Sequence, residues 1–362
     1  MGDMQQPKPI SEYPLGRDLH ASARLYLQHL FWNIRLGYLL HPAISRNVTP
    51  QIRIADIGTG NALWLLELSR DLPSDAQLVG YDISSAQFPN EESLPPQVRL
   101  ELLDILSDEL PKELLGTFDV VHVRALVLVV QAGDPRTILS NSCALLSMSR
   151  KRDFSSITRS HRELGFSLQN GLEYLCVSTV RYSLIFRFLY RLTDPTEPGG
   201  YLQWDEADMS AFQSLVLSSK ATNAASSRLV QHELQYLRAC GFQNEYVLPS
   251  ATKKQRSLAF YLSLCFWVKH LPDYFSSSSE LELIAGSRLP KCNVSQKLET
   301  DNHLMALEDF LPGIAAHVAR VEEREIVDIR DALETTLKSA IEEAGKGVAL
   351  QMDWYTCVGR KV

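Results

Sequence analysis

The stretch RIADIGTGNALWLLE, from Arg53 to Glu67, decides the fold class. Apolar residues crowd the positions up to Ile57, as in a short buried strand, and the glycine turn Gly58-Thr59-Gly60 follows. The next residues, up to Leu68, continue at helical spacing. A strand, a glycine turn and a helix make the first unit of a Rossmann-like sheet, where glycines let a bound nucleotide approach the backbone.

The turn differs from that of a dinucleotide site. The pattern Gly-x-Gly-x-x-Gly would place a third glycine at position 63, which is Leu63. An acid just before the first glycine, Asp56, is also foreign to that pattern. An oxidoreductase that uses a nicotinamide cofactor is therefore disfavoured. The D-x-G-x-G arrangement resembles motif I of the class I S-adenosylmethionine (SAM) methyltransferases, in which the turn cradles the amino-acid end of SAM.

Composition limits the other function classes. The chain has 362 residues, 45% of them apolar, which is enough for a sizeable core. Its net charge of −7 argues against a nucleic-acid binder held by phosphate neutralisation. The six cysteines are scattered without a C-x-x-C pair, so we expect no metal site and a reducing compartment. The N-terminus lacks a signal-peptide pattern, so we expect a cytoplasmic protein, with a nuclear location as the alternative.

Acids follow the second and third predicted strands. Gln77 to Asp82 ends in a carboxylate 22 residues after Gly60, where a carboxylate can accept from both ribose hydroxyls. Val98 to Leu103 is followed by Asp104 and Ile105. The resemblance implies that Asp104 meets the adenine amino group and that Ile105 packs on the ring.

Polar residues also end the fourth and fifth predicted strands. Along Phe118 to Arg124, alternation places His122 and Arg124 on one side near the carboxyl end, where open α/β sheets bind ligands. A Pro-Gly-Gly turn at 198–200 then leads into a strand that ends at Trp204-Asp205-Glu206. Residues 24–146 and 198–206, with the tail, thus resemble the fungal secondary-metabolism branch of the family. The matching stretches are RLYLQHL, GYLLHPAI, IADIGTGNALWL, GYDISSAQFP, FDVVHVRAL and PGGYLQWDEAD.

The resemblance implies an α/β fold with a Rossmann-like seven-stranded sheet flanked by helices. A helical lid precedes the sheet, helical insertions lie in the C-terminal part, and the last strand, near 347–361, inserts antiparallel. We predict an arm and lid helices at 1–45, a SAM-binding core at 46–146, an atypical insertion at 147–196, and the rest of the sheet with substrate-binding helices at 197–362. Local patterns predict helices over Leu19–Leu40, Gln213–Cys240, Leu307–Val318 and Val321–Ala344, and a loop with a short helix over 273–300.

The resemblance and the strand ends together give a set of candidate site residues. The candidates for binding SAM are Asp56, Gly58, Thr59, Gly60, Asn61, Tyr81, Asp82, Ile83, Asp104, Ile105, His122 and Arg124. A general base assists when the acceptor is a hydroxyl, and the candidates are His122, His29 on the leading helix and Glu206.

The predicted function is methyl transfer from SAM to an oxygen, nitrogen or sulfur of a small-molecule natural product in secondary metabolism. The alternative is a methyltransferase-like regulator of secondary metabolism that works through protein partners. We expect no nucleic-acid partner and no transmembrane segment, and a homodimer is left open.

The insertion at 147–196 departs from the family pattern, in which the preceding helix runs almost directly into the Pro-Gly-Gly turn. It carries eight Lys or Arg against four Asp or Glu, whereas the remainder of the chain has 28 against 39. Such a change in charge marks a distinct module. Two hypotheses are a helical cap on the substrate pocket and a basic amphipathic surface that touches membrane.

A third hypothesis is that the insertion is a translated intron. Residues 147–149 can be encoded with the fungal splice-donor consensus GTATGT, and residues 192–193 with a sequence like the branch point. Residues 196–197 can be encoded by ACAGAG, which supplies an acceptor. Splicing would leave one lysine codon, and the product would read Leu-Leu-Lys-Pro-Gly-Gly, like the family.

Overall fold

The fold is taken from a computed structural model of the chain, which describes residues 17–130, 134–148, 150–151, 196–197, 199–240, 267–290 and 296–362. The predicted N-terminal arm, up to residue 16, and residues 152–195 of the predicted insertion lie outside the described residues.

Helices and strands alternate in the first half of the described chain and are longer in the second. The helices are α1 (Leu19–Leu36), α2 (Pro42–Ser45), α3 (Leu63–Leu68), α4 (Arg136–Leu145), α5 (Ala224–Cys240), α6 (Leu271–Ser277), α7 (Gln296–Glu322) and α8 (Ile326–Gly345). The strands are β1 (Arg53–Ile57), β2 (Gln77–Asp82), β3 (Val98–Leu102), β4 (Val120–Arg124), β5 (Arg150–Lys151), β6 (Thr196–Glu197), β7 (Tyr201–Val216), β8 (Leu281–Arg288) and β9 (Val348–Lys361).

One seven-stranded sheet organises these elements in the order β3-β2-β1-β4-β7-β9-β8. The strands β1 to β4 and β7 pair in parallel. The last strand, β9, runs antiparallel between β7 and β8. The predicted Rossmann-like sheet with an antiparallel last strand is confirmed.

Both faces of the sheet are buried in its centre. Ile54 of β1 and Val120 of β4 pack in one apolar cluster with Trp64 of α3. Their chain neighbours Ala55 and Val121 pack in a second cluster. Parallel strands that are covered on both sides carry near-continuous apolar runs, which is why β1 and β4 were recognisable in the sequence.

The leading helix forms as predicted but ends earlier. The side chain of Asp18 caps α1 by accepting from the N–H of Ala21 at 2.9 Å. The helix ends at Leu36 because Gly37 adopts a left-handed conformation with φ of 71°. The helix packs against α3 and α7. Within the described residues, no helix has both the length and the apolarity needed to cross a membrane.

Two predictions in the C-terminal half are wrong. Residues from Gln213 onwards were predicted as helix, but β7 continues to Val216 and the helix begins only at Ala224. Pairing of this part of β7 with β9 overrides the local helical pattern. Within 273–300, predicted as a loop with a short helix, α6 ends at Ser277, but β8 then forms an edge strand whose exposed side chains weaken the apolar signal.

The two ends of the predicted insertion lie side by side. After α4, the carbonyl oxygen of Ser147 accepts from the N–H of Gly200 at 3.0 Å. The short strands β5 and β6 pair antiparallel next to this contact. The chain therefore leaves and rejoins the sheet at one place, while the proposed division at 147–196 stays a prediction.

Candidate cofactor and acceptor site

The glycine turn after β1 is fastened to the end of β2. The N–H of Gly58 donates to the carbonyl oxygen of Tyr81 at 2.8 Å, and the N–H of Gly60 donates to Asp82 Oδ2 at 3.0 Å. Both glycines are left-handed, with φ of 72° and 55°. A Cβ on Gly58 would lie 2.6 Å from the side chain of Leu126, so packing as well as conformation requires glycine here.

The predicted cofactor residues meet at one edge of the sheet, because β1, β2 and β3 are neighbouring parallel strands. Asp82 accepts from the N–H of Ser84 at 3.1 Å in addition to Gly60. Burial raises the pKa of Asp82, and these two hydrogen bonds oppose the rise. Each carboxylate oxygen retains a lone pair for a ribose hydroxyl. Asp104 is exposed and Ile105 is buried at the end of β3. The other candidates at this edge are Thr59 and Asn61 in the turn, and Tyr81 and Ile83 at the end of β2.

A polar cluster lies on one face of the sheet beneath this edge. The register places Asp56 opposite His122, and His122 opposite Gln203. His122 Nδ1 donates to Asp56 Oδ1 at 2.7 Å, and the hydroxyl of Thr59 donates to Asp56 Oδ2 at 2.7 Å. The imidazole stacks on Trp64 with ring centroids 3.8 Å apart. The cluster therefore couples the glycine turn to β4.

Asp205 is the centre of this cluster and is completely buried. Its carboxylate accepts from Gln203 Nε2 at 2.9 Å and from Thr356 Oγ1 at 2.7 Å. Arg124 Nη2 donates to it at 3.3 Å, and His122 Nε2 lies 3.5 Å away. Burial alone would raise the pKa of Asp205, but the interaction with His122 and the charge of Arg124 bring it down to about 2. The carboxylate is thus ionised at neutral pH and balances the charge of the guanidinium.

His122 lies between two carboxylates, and its contacts are those of a residue that holds both in place. Only 1% of the residue is exposed. Its two ring nitrogens face Asp56 and Asp205. A general base must reach the proton that it removes within hydrogen-bond distance. The role of His122 as a base, like its role in holding SAM, stays a prediction.

Glu206 lies on the opposite face of the sheet from Asp205, since side chains alternate along β7. Glu206 Oε2 accepts from the N–H of Leu126 at 2.9 Å and from Trp204 Nε1 at 3.2 Å. Glu206 Oε1 accepts from the N–H of Ala207 at 3.0 Å. Burial raises the pKa of Glu206 to about 7 despite these hydrogen bonds. The carboxyl group anchors the loop after β4, and its role as a base stays a prediction.

We expect Glu206→Gln to lower the free energy of unfolding by about 1–3 kcal/mol, because the amide NH₂ would face a buried N–H donor. The pH dependence should change as well. The pKa of about 7 in the fold exceeds the ordinary 4.5, so the contribution of Glu206 is complete below pH 4.5 and is lost as pH rises through about 7. Denaturant unfolding at about pH 5 and about pH 8 measures this loss, which should be smaller in the variant.

Glu282→Gln provides the control for this pair of measurements. Glu282 is a half-exposed carboxylate on β8 that pairs with Arg360, so its replacement should change stability little at either pH. An identical loss of stability between the two pH values in Glu206→Gln and the parent chain would contradict the assignment.

His29 ties α1 to the helix that follows the glycine turn. His29 Nε2 lies 2.5 Å from Glu67 Oε2, to which Asn33 also donates at 2.7 Å. Burial lowers the pKa of His29, and the hydrogen bond to Glu67 opposes this. In the N-terminal half of α1, Arg24 pairs with Asp309 of α7 at 3.0 Å. The helix thus bridges the sheet core and the C-terminal helices, while its role as a lid and His29 as a base stay predictions.

Several residues of the polar cluster were not among the candidates from the sequence. Gln203 and Asp205 carry a usable signal, since they are polar residues that alternate with the apolar Leu202 and Trp204. The register places them on the face that His122 occupies. Trp64 and Thr356 carry no local signal, because only the packing of α3 and the register of β9 bring them to the cluster.

Curated fungal proteins share sequence with this chain. The N-methyltransferase tcpN of Claviceps purpurea is 39% identical over 112 residues, which are 31% of this chain and 39% of that protein. The N-methyltransferase gliN of Aspergillus fumigatus is 31% identical over 133 residues, which are 37% of this chain and 45% of that protein. The resemblance to fungal SAM-dependent methyltransferases is confirmed. The match spans less than half the length of each relative.

The other comparisons are more distant or shorter. No protein-family model matches the chain. The secondary metabolism regulator laeA of Coprinopsis cinerea is 35% identical over 74 residues, which are 20% of this chain and 17% of that protein. A solved phosphoethanolamine N-methyltransferase 2 of Haemonchus contortus in complex with SAM superposes with a TM-score of 0.42 and 13% identity, covering 98% of this chain and 61% of that one. The similarity to this solved structure carries no argument on function.

Proposed function

We propose that this chain is a SAM-dependent methyltransferase that methylates a nitrogen of a small-molecule natural product in fungal secondary metabolism. The observation that carries the proposal is the sheet edge where the glycine turn, Asp82 and Asp104 follow three neighbouring parallel strands. A carboxylate at the end of the second strand suits a ribose, as in other doubly wound sheets. The similarity to two proteins named N-methyltransferases supports nitrogen as the acceptor atom.

The donors at this edge fit the methionine end of SAM. Asn61 Nδ2 and the Nε and Nη1 atoms of Arg124 are buried, and within the described chain none of them has a hydrogen-bond partner. These N–H groups would hold the carboxylate of SAM, while Asp82 would hold the ribose. When bound, SAM supplies an electrophilic methyl group on a sulfonium. The chain's own residues bind and orient the two reactants and exclude water.

The burial of two of the three candidate bases, His122 and Glu206, favours a nitrogen acceptor over a hydroxyl. A neutral amine attacks through its lone pair, whereas a hydroxyl is a weak nucleophile until a base removes its proton. His122 and Glu206 are at most 1% exposed, and both have hydrogen-bond partners from the protein. This burial limits the access of an acceptor hydroxyl to either group, which supports N-methylation.

Asp82→Ala is expected to weaken binding of S-adenosylhomocysteine by about tenfold or more. The substitution removes charge-assisted hydrogen bonds to the ribose, worth about 1.5–3 kcal/mol. It also releases the N–H of Gly60, so the turn itself loses support. Isothermal titration of the folded variant with S-adenosylhomocysteine measures the change.

Asp75→Ala serves as the matched control, because Asp75 is an exposed acid just before β2. The affinity of Asp75→Ala for S-adenosylhomocysteine should equal that of the parent chain. Thermal unfolding of both variants checks that they are folded. Unchanged affinity in Asp82→Ala would refute the assigned site. Binding of NAD in place of S-adenosylhomocysteine would refute the proposed function.

A second candidate function is a methyltransferase-like regulator that works through protein partners, and the similarity to laeA favours it. A pull-down that recovers stable protein partners, with no turnover of small molecules in extracts, would support the regulator. A small-molecule acceptor and the absence of a nucleic-acid partner belong to the leading proposal. The cytoplasmic or nuclear location and a homodimer stay predictions.

A further inference from the structure

An aromatic cluster lies between α1, β7, β9 and α7. We refer to it as the aromatic subsite and define it as Phe31, Trp32, Phe212, His303 and Trp354. The ring of Trp354 lies 4.6 Å from Phe31 and 4.8 Å from Trp32, measured between centroids. His303 stacks with Trp354 at 6.2 Å and lies 4.8 Å from Phe212.

The aromatic subsite adjoins the cofactor edge at the end of β4. The guanidinium carbon of Arg124 lies 5.3 Å from the centroid of the Trp32 ring. Arg124 is also bound to Asp205 at the carboxyl end of the parallel strands. A molecule in the subsite would therefore have one end beside the predicted cofactor residues and the other beside His303.

Two buried polar atoms in this region are unpaired. Within the part of the chain that the structure describes, His303 Nε2 and Trp32 Nε1 have no hydrogen-bond partner. The residues His303 and Trp32 are at most 5% exposed. Unpaired buried polar atoms are costly and few in native proteins. Their grouping around one set of rings indicates a partner supplied by a ligand.

A buried carboxylate, that of Glu299, lies next to the ring of His303. Glu299 Oε1 accepts from the N–H of Met352 at 3.0 Å and from Trp354 Nε1 at 2.9 Å. The same oxygen lies 3.8 Å from His303 Nε2. Burial would raise the pKa of Glu299, but its interaction with His303 and these hydrogen bonds lower it. In the tautomer that carries its hydrogen on Nε2, the imidazole of His303 is a hydrogen-bond donor at this position.

We propose that the aromatic subsite binds the ring of an arylalkylamine acceptor and that His303 Nε2 donates to an oxygen on that ring. The amine would point to Arg124 and the cofactor edge, while the ring packs against Trp32 and Trp354. Because those two rings are in contact in this structure, binding of the acceptor ring requires the side chains of Trp32 and Trp354 to separate. This inference rests on the proposed function and names the acceptor class for it.

Two small probes test the role of His303. Tyramine carries an aromatic ring, an amine and a ring hydroxyl, and phenethylamine differs only in lacking the hydroxyl. Each is titrated into the complex of the full chain with S-adenosylhomocysteine. We expect tyramine to bind about fivefold more tightly than phenethylamine, as one hydrogen bond provides. His303→Leu should abolish this preference without changing the affinity for S-adenosylhomocysteine, and His303→Gln should retain part of it.

His317→Leu is the control, since His317 lies farther along the same helix and outside the subsite; it should keep the preference. A preference that survives in His303→Leu would overturn the inference, as would a failure of both amines to bind the parent complex. A purely structural role would lower the unfolding temperature of His303→Leu and leave the preference intact, which also overturns it. Failure of the proposed function is distinct, because S-adenosylhomocysteine itself would then not bind.

Discussion

Asp205→Ala is expected to lower the free energy of unfolding by about 3–5 kcal/mol, the range for removing one partner of a buried ion pair. The carboxylate is completely buried and accepts from Gln203 and Thr356 on neighbouring positions of the sheet. Without it, the guanidinium of Arg124 loses the carboxylate to which it donates at 3.3 Å. We expect much of the variant to be insoluble, and denaturant unfolding of the soluble part to show the loss.

Two further variants separate the charge of Asp205 from its position. Asp205→Asn keeps an acceptor for Thr356 but removes the charge, so its loss of stability should be smaller. Asp353→Ala breaks a surface ion pair with Arg288 on the same sheet and should cost less than about 1 kcal/mol. Equal stabilities of Asp205→Ala and Asp353→Ala would show that the polar cluster does not support the fold.

The acid limb of the stability profile gives an independent check. The pKa of Asp205 in the fold, about 2, is below the ordinary 3.8. Its contribution is therefore complete above pH 3.8 and is lost as pH falls through about 2. Asp205→Asn should lack this part of the acid loss.

The other large effect is expected when residues 147–197 are replaced by a single lysine. The carbonyl oxygen of Ser147 already accepts from the N–H of Gly200 at 3.0 Å. After the replacement, residue 147 would be followed directly by Pro198, Gly199 and Gly200, so this contact becomes the hydrogen bond from residue i to residue i+3 of a β-turn. Proline and glycine suit the central positions of such a turn.

We expect the shortened chain to bind S-adenosylhomocysteine with an affinity within about threefold of the parent chain, a difference below 1 kcal/mol. Its unfolding temperature should be no lower than that of the parent, because the flanks are held by the sheet: the N–H of Tyr201 donates to the carbonyl oxygen of Asp119 at 2.8 Å. Titration and thermal unfolding measure both quantities.

A chain that joins Leu146 directly to Pro198, without the lysine, is the matched control. It lacks the residue whose carbonyl closes the turn, so it should be the less stable of the two shortened chains. Aggregation of the chain that carries the single lysine, or equal stability of the two shortened chains, would contradict the proposed β-turn. Sequencing the transcript tests the intron hypothesis itself. If the main form of the mRNA still encodes residues 147–196, the hypothesis is refuted.

The local pattern of the chain was sufficient for the binding half of the sheet. The strand before Gly58, and the strand that ends at Asp82, carry apolar runs because both faces of a parallel sheet are covered. The glycine turn was visible because a left-handed backbone selects glycine. These signals lie within a few residues of one another, and they predicted the order of the acids along the edge.

The arrangement of the C-terminal half depended on pairing between distant segments. The local sequence at the end of β7 predicts helix, and that of β8 predicts loop. Both segments are strands because they pair with β9. The candidate bases show the same limit. Sequence placed His122 and Glu206 together at strand ends, but the pleat of neighbouring strands puts them on opposite faces of the sheet.

The amino-acid sequence was enough to identify the fold class, the glycine turn and the acids that follow β2 and β3, because each arises from one strand and the turn after it. Tertiary structure alone brought Asp56, His122, Asp205 and Thr356 into one buried network, since they come from four strands whose register no local pattern encodes. The same holds for the aromatic subsite, where α1, β7, β9 and α7 each contribute a side chain. The tertiary structure also determines the hydrogen-bond partners of the buried carboxyl groups of Asp205 and Glu206, and with them the direction in which each pKa shifts.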